Sequence, residues 1–253
     1  MKIVDAFWGK KWEIDKYRYF KRIKKLCKVK KAEGYELKRI GGNNDGAYVM
    51  LDDFSDSKIA YSFGIDDNIE WDKCIADRGI DVYCYDHTIE RLPNENARLH
   101  FNKIGIAGTD KIEEKLLSMQ SILERNHHDG MKNVILKMDV EGAEWEFLNS
   151  VSSDLLNCFS QMTFELHNVY GWSHHKQVLA ALRKLNKTHQ AVWIHGNNAS
   201  PVDNIKDLDI PYLLEITWVN KNKYSFSEVI YNCPIDIDQP NCVGISEIIL
   251  KNW

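Results

Sequence analysis

From residue 58 onward, short apolar runs of strand length alternate with stretches whose apolar positions recur at helical spacing. The runs at 58–63, 81–85, 99–104, 134–138, 161–166, 191–195 and 212–219 read as strands. The run at 134–138 is broken only by Lys137, which predicts a strand buried on both faces. Between the strands lie predicted helices at 69–78, 111–125, 144–151 and 174–186. Gly79 sits just past the end of the first helix. The second carries Ile112, Leu116, Leu117 and Met119, and the last places Val178, Leu179, Leu182 and Leu185 on one face. Upstream, the chain reads as mostly helical to about Lys31, with Trp8, Trp12, Tyr17 and Phe20 along it, until Gly34 breaks the pattern. Two short strands at 35–40 and 47–51 then flank the turn-forming cluster Gly42-Asn43-Asn44-Asp45-Gly46.

Strands alternating with helices predict the α/β class: a mainly parallel sheet with helices on both faces. A chain of 253 residues suits one such domain, with residues 1–34 as a helical N-terminal extension. Hydrophobic residues at 44% and charged residues at 28% are ordinary for a globular protein, so no fibrous or disordered class is needed. A net charge of -4 argues against nucleic acid as a partner. The basic run at 17–31 (Arg18, Lys21, Arg22, Lys24, Lys25, Lys28, Lys30, Lys31) is the local exception. It reads chiefly as a solvated helix face, and otherwise as a contact for phosphate or an anionic polymer. The six cysteines form no CxxC pair and no signal peptide is visible, so reduced thiols in a cytoplasmic protein are expected. No apolar stretch of about 18 residues predicts a membrane span. A homo-oligomer stays open.

In sheets of this kind ligands bind beyond the carboxyl ends of the strands. Gly64, Asp86, Asp139, Glu165, His167 and His195 stand at those ends and make up the candidate site. A glycine after the first strand lets backbone approach a ligand, although no GxGxxG fingerprint accompanies it. Asp86 follows about twenty residues later, where nucleoside sites place a carboxylate for ribose hydroxyls. Asp139, Glu141 and Glu144 crowd a strand-to-helix turn, either as helix N-terminal charges or with Asp139 at the strand end facing a methyl donor or a metal. Glu165 and His167 are two apart and share a face if the strand persists. A carboxylate and an imidazole so placed bind a metal, deprotonate a hydroxyl, or simply satisfy one another.

The segments LKMDVEGAEWEFL, MTFELH and IHGNN, preceded by RIGGNNDGAYVML and SFGIDDNIEWD, resemble the FkbM-type methyltransferases, in particular bacterial sugar O-methyltransferases of capsule and glycan pathways. The resemblance spans roughly residues 38–219, and DVEGAE is its most specific piece. It implies a seven-stranded Rossmann-like class I methyltransferase fold with S-adenosylmethionine as donor and a sugar or sugar-nucleotide acceptor. It places Gly64 near the methionine part, Asp86 on the ribose and Ile106 near the adenine. The family's usual GxGxG is missing from SFGIDDN.

A neutral sugar hydroxyl is a poor nucleophile and needs a base or a Lewis acid. Asp139 and Glu165 are expected to share a divalent cation, Mg²⁺ or Mn²⁺, with His195 or His167 completing the shell. His167 is the first choice for general base, with Glu165 and Asp139 as its catalytic companions. Two other classes share some of these features: an NAD-dependent sugar-nucleotide oxidoreductase or epimerase, and a non-catalytic carbohydrate-binding protein. Asn168, Tyr170 and Trp172 suit the mixed apolar and polar faces of a sugar.

Overall fold

Seven strands of the computed structural model join in one sheet, with the outer elements arranged around it. Residues 2–253 are described, with side chains from Lys11 onward, so the side chain of Trp8 lies outside the described residues. The strands are β1 (Ile59–Phe63), β2 (Asp81–Tyr85), β3 (Leu99–Asn102), β4 (Val134–Met138), β5 (Phe159–Leu166), β6 (His189–Gly196) and β7 (Leu214–Asn220). Their order is β3-β2-β1-β4-β5-β7-β6. Neighbours from β3 through β5 run parallel, and β7 runs antiparallel to both β5 and β6. This is the predicted α/β sheet.

Every residue of β1, β4, β5, β6 and β7 is buried, as expected for strands covered on both faces. Among the described residues, six α-helices accompany them: α1 (Lys2–Leu26), α2 (Glu70–Ala76), α3 (Met119–Arg125), α4 (Glu144–Ser150), α5 (Ser153–Leu156) and α6 (His175–Thr188). The strand order reverses between β1 and β4, which opens a crevice beyond their carboxyl ends.

The helix α6 buries Val178, Leu179, Ala181, Leu182 and Leu185, the face its periodicity predicts. Lys184 from this helix donates to the carbonyls of Asn149 and Val151, closing the end of α4. The helix α1 buries Tyr19, Phe20, Ile23 and Cys27. It ends at Leu26 rather than near Lys31, because Lys30–Ala32 pairs as a strand with Phe226–Glu228. The basic run is thereby divided between helix and strand. Lys28 and Lys30 both pair with Glu228.

The predicted helix at 111–125 is three elements. A single 3-10 turn, Ile112–Glu114, ends where Lys115 takes a left-handed conformation. Leu116–Leu117 then pairs with Gly105–Ile106, and Ser118 caps α3. Asp110 fixes that cap by accepting from the Ser118 N–H at 2.7 Å and the Ser121 hydroxyl at 2.6 Å. Ile112, counted toward the predicted apolar face, is 71% exposed.

The hairpin of Leu37–Ile40 and Tyr48–Leu51 lies over one face of the sheet. The Gln161 side chain from β5 bonds both the N–H and the carbonyl of Leu51. The Thr217 hydroxyl from β7 donates to the Val49 carbonyl at 2.6 Å. This docking carries the 43–46 turn to the rim of the crevice.

Candidate functional site

The crevice is built on a close approach of two strand ends. Gly64 follows β1 with φ 75°, a left-handed value that suits glycine. A Cβ there would lie 1.6 Å from the Asp139 carbonyl oxygen, so only glycine lets the turn after β1 pass the turn after β4. A Gly64 at this crossing performs the close approach without a longer glycine-rich motif. Lys137 donates to the Gly64 carbonyl at 2.6 Å from below.

The acidic turn after β4 is organised by Glu144, which is fully buried. Its Oε1 accepts from the Val140 N–H at 2.8 Å and the Gly142 N–H at 3.3 Å. The same oxygen lies 3.1 Å from Nδ1 of His167. Glu141 and Gly142 both take positive φ, which turns the chain from strand into α4. Glu144 is thus both the clamp of the DVEGAE turn and the partner of the histidine that ends the next strand.

His167 lies just past β5, which ends at Leu166. The strand alternation therefore does not carry Glu165 and His167 onto one shared partner set. The ring of His167 meets Glu144 through Nδ1, while Nε2 lies 3.3 Å from Glu141 and 4.0 Å from Asp139. Burial disfavours its charged form, but the Glu144 hydrogen bond and the charges of Glu144, Asp139 and Glu141 outweigh it and raise the pKa above the ordinary value. The Trp145 indole donates to the His167 carbonyl at 2.7 Å and fixes the backbone under the ring.

Glu165 faces a different set. Its Oε1 accepts from Asn197 at 2.6 Å, and its cross-strand neighbour is Glu215. Burial first, and then the charges of Asp139, Glu215 and Asp45, push its pKa well above the usual carboxylate range. Asp139 accepts from the Tyr48 hydroxyl at 3.2 Å. Asp86 accepts four hydrogen bonds: from the Ile65 and Asp66 N–H groups and from the Thr88 N–H and hydroxyl. Burial pushes its pKa up, but these bonds outweigh it and hold the carboxyl at about 2. Its first task is to fix the backbone of the turn after Gly64.

Two clefts open here side by side. The smaller, of about 520 Å³, is lined by Gly64, Asp86, Ile106, Asp139 and Glu165, so it gathers all the residues expected to hold the donor. The larger, of about 810 Å³, is lined by His167 and Asn168 together with Trp145 and Asn149 from α4 and Gln177 from α6. Glu141 borders both.

His195 lies apart from either. Its Nδ1 is 2.8 Å from Glu215 and its Nε2 3.2 Å from Glu247, and its ring stacks on Trp193. Burial opposes its charge, yet the bonds from Glu215 and Glu247 raise its pKa to about 10. The expected metal set of Asp139, Glu165 and His195 is not brought together as one group. Asp139 groups with Glu141 and His167, Glu165 with Asp45 and Glu215, and His195 with Cys233 and Asp238. Tyr170 packs edge-on to Tyr212, and Trp172 stacks on His175.

Asp45, Tyr48, Lys137, Asn197 and Glu215 also reach this region, although the sequence reading did not place them in the candidate site. The Asp45-Gly46 turn was legible as a turn, but its place on the rim depends on how the hairpin docks. Glu215 sits inside an antiparallel strand, where no spacing rule marks it.

A family model described as the methyltransferase FkbM domain matches residues 58–188, just over half of the chain. The match includes Gly64, Asp86, Ile106, Asp139, Glu165 and His167. None of the curated proteins matches the sequence. Among solved structures, one described as a SAM-dependent methyltransferase from Streptococcus mutans is similar at 9% identity with a TM-score of 0.37. The similarity covers 75% of this chain and 56% of that one, so it spans little more than half of that structure.

Proposed function

The chain belongs to the FkbM methyltransferase family, and from that premise we propose that it moves the methyl group of S-adenosylmethionine onto a sugar hydroxyl, in the form of a nucleoside-diphosphate sugar for a capsule or surface glycan. The observation that carries the oxygen acceptor is the His167–Glu144 pair, whose histidine lines the larger cleft and lies 3.3 Å from Glu141, a residue that borders both clefts. The smaller cleft fits the donor on its own chemistry. Its lining is rich in carboxylates, which suits a sulfonium and an ammonium group, and the buried Ile106 offers an apolar wall to a flat base. When bound, S-adenosylmethionine supplies an electrophilic methyl group.

Nδ1 of His167 is committed to Glu144, so Nε2 is the nitrogen that takes the proton of the acceptor hydroxyl. A positioned base of this kind contributes about 10²–10⁴ in rate. Asp139 beside it orients the acceptor and favours positive charge on the ring. Glu165 lines the donor cleft and not the acceptor cleft, and burial with its acidic neighbours favours its protonated form. In the larger cleft the Trp145 ring offers an apolar face, and Asn149, Asn168 and Gln177 offer amides. No Lys or Arg lines it among the described residues, so a diphosphate rests outside it and the sugar ring inside.

Transfer of labelled methyl from S-adenosylmethionine to a panel of sugar nucleotides and matching free sugars tests the reading. Label on a sugar oxygen is the expected result. A chain that labels only amines, or nothing in the panel, overturns the sugar-oxygen assignment. A second reading adds a divalent cation at Asp139, Glu141 and His167, which present atoms within 4.8 Å of one another. Its mark is turnover lost on chelation and restored by Mg²⁺ or Mn²⁺.

A further inference from the structure

Lys137 occupies an unusual place for a lysine. It lies in the central strand β4, 3% exposed, between Ser62 of β1 and Thr163 of β5. Burying an ammonium group is costly unless something compensates its charge. Asp72 of α2, itself fully buried, is the nearby carboxylate through which the two charges act on each other. Among the described residues, however, no carboxylate oxygen lies within ion-pair distance (4.0 Å) of the Lys137 Nζ. Its hydrogen bond goes instead to the Gly64 carbonyl, 2.6 Å away, at the turn where the donor cleft begins. An ammonium has three donors, and a single carbonyl uses one.

The charges along the cleft point the same way. Asp45, Asp66, Asp67, Asp139 and Glu141 are among its lining groups, and Lys137 is the one Lys or Arg there among the described residues. The donor carries two positive groups, the sulfonium and the α-ammonium, and one negative group, the α-carboxylate. The acidic residues satisfy the first two and repel the third. We propose that the Lys137 ammonium receives the α-carboxylate of S-adenosylmethionine while it holds the Gly64 carbonyl, anchoring the methionine end at the junction of β1 and β4. The assignment rests on the donor reading above.

The test is calorimetry on the full chain with two probes, S-adenosylhomocysteine and its decarboxylated counterpart, which lacks only that carboxylate. In the wild-type protein, loss of the carboxylate should weaken binding about 10- to 100-fold, the usual worth of a charge-assisted hydrogen bond. In Lys137→Met, whose thioether chain fills the same buried space, the two probes should bind within about twofold of each other by this coupling logic. If the ratio between probes is unchanged in the variant, Lys137 only shapes the Gly64 turn and the proposal falls. If Lys137→Met does not fold, the wild-type comparison decides alone: equal affinity for both probes overturns the assignment. A wild-type chain that binds neither probe overturns the donor reading itself, and this assignment with it.

Discussion

At the scale of single residues, proton affinity separates the candidate groups. His167 is held above the ordinary imidazole pKa of about 6.5. As a base it must be neutral, so kcat should rise with pH through that raised value and be lost on the acid side. Glu144→Gln keeps an acceptor for the Val140 and Gly142 N–H groups but removes the charge that raises His167. The acid limb of the kcat–pH profile should therefore move to lower pH. An unshifted limb would mean that another group is the base. His167→Gln should cost about 10²–10⁴ in kcat with donor affinity kept, as measured by steady-state kinetics and calorimetry side by side. Glu165 should behave differently. Because burial and its acidic neighbours favour the protonated form, Glu165→Gln imitates that form and should cost less than tenfold, about 1.4 kcal/mol. A loss as large as that of His167→Gln would show that Glu165 works as an ionised group.

At the scale of elements, the approach of β1 to β4 is the feature on which the proposed donor cleft depends. Gly64→Ala would set a Cβ against the Asp139 carbonyl and hold a left-handed φ with a side chain. The left-handed conformation alone costs about 1–2 kcal/mol, and the clash is with backbone, which cannot rotate away. The turn should move, and donor affinity should fall by at least about tenfold; a calorimetric titration near wild type would show that the close approach is not needed. Elements of this kind were legible in the sequence because buried parallel strands are continuous apolar runs with polar ends. The run at 81–85 and the run at 134–138 match β2 and β4 residue for residue. Local geometry was less legible. The apolar spacing at 111–125 imitates a helix, but the left-handed Lys115 and the Ser118 cap divide it. For the site, Gly64, Asp86, Asp139 and Glu165 could be read because strand ends in this fold converge. His195 also ends a strand, but the partner that decides its role, Glu247, comes from the distant C-terminal segment.

At the scale of the whole molecule, that segment covers the edge strand β6, whose open backbone would otherwise be a site for unwanted pairing. Tyr231 donates to the Ile194 carbonyl, the Trp193 indole donates to Asp238, and Asn198 donates to the Cys242 carbonyl. His195 is the charged pin of this arrangement, because its two nitrogens join Glu215 of β7 to Glu247 of the tail. Its pKa is about 10 in the folded chain against about 6.5 for an ordinary imidazole. A raised pKa contributes stability that is fully present below about 6.5 and is lost as pH climbs through about 10. The melting temperature should therefore decline across that window. His195→Gln should lower stability at pH 6.5 by about 3–5 kcal/mol, since it leaves Glu215 buried without its counter-charge. The variant should also lack most of the wild-type decline between pH 6.5 and 10, so the two melting curves converge at the alkaline end. Thermal melts of both proteins over that range decide the matter. Parallel declines, with a constant gap between wild type and variant, would show that His195 is neutral in the folded state and that the tail is held by packing alone.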